Sequence, residues 1–195
     1  MAGSDGRVVE AEGGRMIVYG LDPGTEQSAI VAYDTEARAV RSHATLLNET
    51  LVRMLHDCGT SGPVLAIEQI EAMGMAVGRE TFETVFVSGR FFEAWRWERA
   101  RVTRRAVKLH LCGSMRATDS NIRQAILDKF GATKALAIGN KKQPGPLYRV
   151  KGHEFAALAV AITWAETKQE TPHRGAELPP ERVQSTCAAP PGGVD

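Results

Sequence analysis

Hydrophobic and polar positions follow two different periods along this chain. Met16 to Leu21 is a mostly apolar run that ends on Asp22, and a second run from Ser28 ends on Asp34. Both read as strands, 16–22 and 28–34, joined by a turn at Pro23-Gly24-Thr25. Residues 39–45 read as a third strand. The period then lengthens. Leu47, Leu51, Met54 and Leu55 recur at helical spacing, and Gly59 closes that segment. Val64 to Ile67 is a short apolar run opened by Gly62-Pro63; it fits a central strand, and it also delivers an acid, Glu68. Phe82, Val85, Phe86, Gly89, Phe92 and Trp95 share helical spacing on a long segment, and residues 101–107 read as another strand. Ile122, Ala125, Ile126 and Phe130 mark a further helix, and Phe155, Leu158, Ile162 and Ala165 mark a last one. Strands first, and then strands alternating with helices, predict an α/β fold: a mixed sheet covered by helices.

Composition sets the limits of this body. Of 195 residues, 1–15 are rich in Gly and polar groups and read as a flexible leader without the apolar core of a secretory signal. Residues 167–195 carry five of the nine prolines, so they read as a disordered tail and leave 16–166 as the folded domain. At 43% hydrophobic the body can bury a core, and no run is long enough to span a membrane. Cys58, Cys112 and Cys187 are far apart and odd in number. That argues against a disulfide framework or a zinc site, and for a reducing cytoplasm, that of a host if the chain is phage-encoded. The formal net charge of +1 makes no case for a nucleic-acid partner, so any such case rests on local charge.

Three places carry chemistry. Asp22 and Glu68 both end strands, and their carboxylates converge if those strands are neighbours. Two close carboxylates repel, so one holds a proton or a cation lies between them. Hard divalent cations such as Mg²⁺ select such oxygens. The plainer alternative is that each acid caps the turn or helix that follows. The third place is "KGHEFAALAVAITWAE", residues 151–166, with His153 and Glu154 in the first turn of a helix. There Glu154 is either a charge favoured by the helix dipole or a ligand, and His153 is either an ordinary surface histidine or a ligand beside Asp22 and Glu68.

One stretch is locally basic. "RWERARVTRRAVKLHLCGSMR", residues 96–116, has seven Lys or Arg residues and one acid, Glu98. It is either a solvated face or a surface that holds phosphates, with Arg101, Arg104, Arg105, Lys108 and Arg116 as the candidates.

The motifs "YGLDPGT" followed by a strand, "LAIEQ", "AVKLHLCGS" and "HEFAALAVAIT" occur in the order seen in the RuvC family of Holliday-junction resolvases, and the chain resembles the phage-type branch. The resemblance spans nearly the whole body. It implies an RNase H-like fold with a five-stranded mixed sheet, a homodimer, and Mg²⁺-dependent cleavage of four-way DNA junctions, with Mn²⁺ able to substitute and two ions per site. It maps the family's metal ligands onto Asp22, Glu68 and His153, and places Lys108 nearest the scissile phosphate. The chain departs from the family in three places. The second ligand expected on the last helix falls on Ala156, so Glu154 is the candidate replacement. The family's aromatic wedge falls on Glu71, with Met73 and Met75 as apolar candidates nearby. A lysine expected near residue 119 is absent; Asp119 stands there, and Arg116 is the candidate substitute.

Two other functions compete. The Asp-x-Gly-Thr turn also resembles that of sugar-kinase and actin-like ATPases, but about 150 residues are too few for two such domains. A junction-binding protein with a weakened site is the other, because Ala156 offers no ligand.

Overall fold

The computed structural model describes residues 16–59, 62–71 and 77–169. The expected leader, almost all of the expected tail, Cys187, and the candidates Met73 and Met75 lie outside these residues.

Five strands form one sheet in the order β3-β2-β1-β4-β5. Strands β1 (Ile17–Asp22), β2 (Gln27–Asp34) and β3 (Ala39–Leu47) make an antiparallel meander. Helix α1 (Asn48–His56) then carries the chain across, so β4 (Val64–Gln69) pairs with β1 in parallel. Helix α2 (Arg79–Ala94) leads to β5 (Arg99–Thr103), parallel to β4. Helices α3 (Arg104–Cys112), α4 (Asp119–Phe130), α5 (Lys134–Ile138) and α6 (His153–Gln169) follow. The expected mixed sheet flanked by helices is therefore the observed architecture.

Alternation along the strands splits the core in two. Val18, Val31, Val64 and Ala66 face Leu158 and Ile162 of α6, with Val107 and Ile126 beside them. Leu21, Ile30, Leu65 and Ile67 face the other way, onto Leu51 and Leu55 of α1 and Val87 and Phe91 of α2. Trp95 closes that second layer, fully buried, edge-on to Tyr19. Successive residues of a strand point to opposite faces, and both layers read off the same strands.

Two expectations change. Residues 101–107 are not one strand: β5 ends at Thr103, and Arg104 begins α3. The Thr103 side chain accepts a hydrogen bond from the Ala106 backbone N–H, a helix start that outweighs the local strand-like alternation. Gly113, at φ 63°, ends that helix in the left-handed conformation that suits glycine. The last helix also runs to Gln169, into the stretch expected to be tail. Among the described residues no helix is long and apolar enough to cross a membrane.

A candidate carboxylate site and its cleft

Strand parity decides where the two acids go. Val18, Gly20 and Asp22 share one face of β1, and Val64, Ala66 and Glu68 share the same face of β4. Leu21 is paired with Ile67 in parallel register, so Asp22 and Glu68 emerge one step later on adjacent strands. Both carboxylates thus leave the sheet at its end, on the α6 side.

The turn after Asp22 is fixed by side chains rather than left loose. Asn48, buried at the start of α1, donates from Nδ2 to the carbonyls of Gly24 (3.0 Å) and Thr25 (2.9 Å). The Ser28 hydroxyl donates to Asn48 Oδ1 at 2.7 Å and accepts from the Gly24 N–H at 3.1 Å. Buried polar groups joined in this way hold the Pro23-Gly24-Thr25 turn, and with it the end of β1, in one conformation.

Helix α6 reaches Asp22 because Gly20 lets it. A Cβ at Gly20 would fall onto the carbonyl oxygen of Ala157 and against the Ala161 side chain. Helix and strand therefore touch backbone to backbone. One helical turn before Ala157 is His153, and two residues beyond Gly20 is Asp22 on the same face. The two steps are similar lengths, about 5.4 Å along a helix and about 6.6 Å along a strand, so the imidazole arrives over the carboxylate. His153 Nδ1 lies 2.9 Å from Asp22 Oδ2. The His153 side chain is 82% exposed and that of Asp22 only 14%, so the histidine closes the rim of the site.

The other side of the acid pair belongs to Arg104. Its Nη1 donates to Glu68 Oε1 at 3.2 Å, and its Nη2 donates to Asp119 Oδ1. Burial pushes the Glu68 carboxyl up to about 7, with the Asp22 charge adding to the rise and Arg104 opposing it. Burial also raises Asp22, against the hydrogen bond from His153. Burial thus favours the neutral form of both acids, and the rise is large at Glu68. An isolated carboxylate pair in a desolvated place lacks positive charge, and here a proton and a guanidinium supply it.

The four acids lie in a cleft of about 750 Å³ between the strand ends, α3, α4 and the start of α6: Asp22, Glu68, Glu71 and Asp119 all line it. His153, Arg104, Lys108 and Arg123 line it too, and Ala156 contributes a methyl. Of the expected basic residues, Arg104 and Lys108 reach this cleft. Arg101 lines a neighbouring groove and lies 5.9 Å from the centre of the Phe92 ring. Arg105 and Arg116 are exposed and are not brought into the cleft. Arg104 is engaged by Glu68 and Asp119, so it serves the acids before any phosphate.

Glu154 goes elsewhere. It is 3% exposed and turned into the fold, toward β3. Its carboxylate lies 2.9 Å from His43 Nδ1 and 3.4 Å from the Thr45 hydroxyl, and it accepts from the Lys151 N–H at 3.0 Å. Adjacent residues on a helix point about 100° apart, so while His153 faces Asp22, Glu154 cannot. The expectation that Glu154 replaces the ligand missing at Ala156 is corrected on this geometry. His43 and Arg123 escaped notice in the sequence. Nothing local marks His43 on an alternating strand, and Arg123 reads as one more polar position on a helix.

Among the described residues no group of three His, Cys, Asp or Glu side chains already converges as a metal-binding set. The donor chemistry nevertheless suits a hard divalent cation at one place. Asp22 and Glu68 are buried acids with raised carboxyls and border Arg104, so a cation entering between them would supply positive charge that the pair calls for.

No protein-family model and no curated protein matches the chain in sequence. In structure it is similar to Thermus thermophilus RuvC solved in complex with a Holliday junction substrate. The TM-score is 0.54 at 16% identity, covering 80% of this chain and 96% of that one. A second structure of RuvC from the same organism gives 0.50 at 16% identity, covering 80% and 98%. The yeast mitochondrial Holliday junction resolvase gives 0.49 at 10% identity, over 78% and 79%. The likeness to the two RuvC structures spans four-fifths of this chain, so the fold is of the RuvC kind.

Proposed function

We propose that this chain is a divalent-cation-dependent endonuclease that cuts four-way DNA junctions. The observation that carries the reading is the placement of Asp22 and Glu68. They are desolvated acids at the matching ends of two adjacent parallel strands, in an open cleft that also holds Lys108 and Arg123. The likeness in fold to a RuvC bound to a Holliday junction supports it.

In this reading Asp22 and Glu68 hold Mg²⁺, or Mn²⁺ in its place, two ions per site, and His153 completes the set beside Asp22. When bound, the ions lower the pKa of a water and stabilise the leaving oxygen. The chain's own residues do the rest. Asp22 is held still by the Asn48 network, so its oxygens do not reorganise. His153 keeps the Asp22 carboxylate in one rotamer through its 2.9 Å contact. Arg104 keeps Glu68 aimed into the cleft at 3.2 Å. Lys108 supplies positive charge for the scissile phosphate.

The proposed assembly is a homodimer. A four-way junction has near-twofold symmetry and needs two cuts, which a twofold dimer presents as two equivalent sites. On α2, Phe82 and Phe86 are 66% and 70% exposed, and Val85 beside them is also exposed. Such a ridge suits a second copy of the chain. A light-scattering mass of one chain, with and without junction DNA, would exclude it.

The test of activity uses labelled four-way junction, replication fork and linear duplex with Mg²⁺. Paired nicks across the junction are expected. Asp22→Asn and Glu68→Gln each abolish them and retain junction binding, because each removes a ligand charge and leaves the shape. Cleavage by either variant at the wild-type rate would sink the assignment. Ala156 favours a second reading, a junction-binding protein that does not cut, since its methyl lines the cleft where a further ligand would stand. Binding without Mg²⁺-dependent nicks would select that reading.

A further inference from the structure

On helix α4, Asp119 and Arg123 stand four residues apart, the spacing at which an acid and a base ordinarily pair. Here they do not. Asp119 is taken by Arg104, which reaches it from the start of α3 while also holding Glu68. Arg123 is left with no ion pair among the described residues. Its guanidinium instead lies over the ring of Phe155, 4.5 Å from the centroid, on the wall of the same cleft as Asp22 and Glu68.

That arrangement orients the cation. Phe155 is 5% exposed and fixed in the core, so the ring cannot move to follow its partner. A guanidinium that stacks face-on over a ring leaves its N–H edge available to another partner. The free edge is the part of arginine that grips a phosphate by two parallel hydrogen bonds. Asp119 Oδ1 accepts from Arg104, and no ion pair joins Arg123 to the same carboxylate. Beside Lys108, the cleft therefore keeps on α4 a cation that no ion pair among the described residues engages.

We infer that Arg123 binds a phosphodiester of the DNA strand lying in the cleft, with its face on Phe155 and its N–H edge on the phosphate oxygens. This rests on the endonuclease reading and adds to it a substrate contact on α4. A purely structural role for Arg123, the stack alone, is the competing account.

The two separate in the salt dependence of binding. Each phosphate neutralised adds about 0.9 to the slope of log K against log[salt] on duplex DNA. Labelled four-way junction and a duplex of equal length are titrated by fluorescence anisotropy in EDTA, from about 50 to about 200 mM salt, with wild type, Arg123→Gln and Arg123→Lys. In Arg123→Gln the slope is expected to fall by about 0.9, so the wild-type advantage shrinks about 3.5-fold across that range. Arg123→Lys is expected to keep the slope, because the charge remains, and to bind more weakly, because the fork is lost. A slope in Arg123→Gln equal to that of wild type overturns the inference, whatever happens to the melting temperature. If wild type binds junction no better than duplex while Arg123→Gln still lowers the slope, the contact stands and the junction reading falls. If wild type binds neither DNA, both fall.

Discussion

Glu154 lies 2.9 Å from His43, a residue 111 positions earlier on β3. This pairing ties the first turn of α6 to the far side of the meander, and it turns the neighbouring His153 outward to Asp22. Glu154 is thus a positioning residue, and its removal should act through geometry. Glu154→Gln leaves His43 and the Lys151 N–H with a weaker acceptor in a buried place. A loss of about 1–3 kcal/mol of stability is expected. Cleavage should fall with it, and the ratio of Mn²⁺-supported to Mg²⁺-supported rate should stay as in wild type. Thermal melts and rates with each ion check this. A changed ratio would mean that Glu154 does touch the metal.

The proton on Glu68 predicts how metal binding responds to pH. Its carboxyl is raised from the ordinary 4.5 to about 7, chiefly by burial. A raised carboxyl favours the fold fully below its ordinary pKa, and that contribution is lost as pH rises through the raised value. Without metal, this group therefore favours the fold at pH 4.5 and no longer does so above about 7. A cation must displace the proton. Mg²⁺ is expected to raise the melting temperature little at pH 5.5 and most at pH 8, with the rise centred near 7. In Glu68→Gln the pH dependence of that gain should disappear. A Mg²⁺ effect of equal size at both pH values in wild type would refute the reading.

Arg104 stands where cation and arginine compete for Glu68. At pH 8.5, above the raised Glu68 value of about 7, Arg104→Gln removes a positive charge a few ångströms from the proposed ligand Glu68. Repulsion on the order of 1 kcal/mol or more is relieved at that range near a surface. The Mg²⁺ concentration for half-maximal cleavage should fall severalfold at pH 8.5. At pH 6 the gain should shrink, because Arg104 also holds the Glu68 carboxyl down. Magnesium titrations at the two pH values separate the effects. A higher Mg²⁺ requirement at pH 8.5 would show that Arg104 aims Glu68 more than it opposes the ion.

The site was legible where parity along a strand carries the information. Asp22 and Glu68 end apolar runs of fixed period, so their side of the sheet followed once the two strands were neighbours. His153 was legible because it opens the apolar period of α6. Helix α3 was not, because "RVTRRAV" alternates like a strand until Thr103 caps the next turn. Glu154 and Arg123 were not either, for one physical reason. Their roles are set by partners distant in sequence: His43 for the first, and for the second the diversion of Asp119 to Arg104. No window of consecutive residues contains either relationship.

The close approach at Gly20 gives a packing prediction. Any side chain there drives α6 away from β1, since a Cβ would meet the Ala157 carbonyl, which is backbone and cannot swing aside. Gly20→Ala is expected to destabilise by about 1–3 kcal/mol, as overpacking does. It should also weaken the His153 contact with Asp22 at the end of the same helix. Cleavage in Gly20→Ala should then fall further than the loss of folded protein explains, measured below the melting transition. A rate per folded molecule equal to wild type would show that the helix end adjusts independently of its middle.

The last prediction concerns His153 and Ala156, which both line the cleft at the start of α6. They stand three residues apart, so they share a helix face and look at the same acids. Imidazole is a softer donor than carboxylate and suits Mn²⁺ better than Mg²⁺. Wild-type cleavage is therefore expected to run faster with Mn²⁺. His153→Asp should narrow that preference, since a carboxylate takes the place of the ring beside Asp22. Ala156→Asp should narrow it too and lower the Mg²⁺ requirement, because the methyl now in the cleft becomes a hard oxygen donor. The added acid also brings a further negative charge into the cleft of Asp22 and Glu68, so without metal Ala156→Asp should melt lower than wild type at pH 8. Mg²⁺ should recover that loss. Melting curves with and without Mg²⁺, beside rates with each ion, read both effects. If Ala156→Asp loses stability and Mg²⁺ restores none of it, the proposed ions do not sit on the face that His153 and Ala156 share.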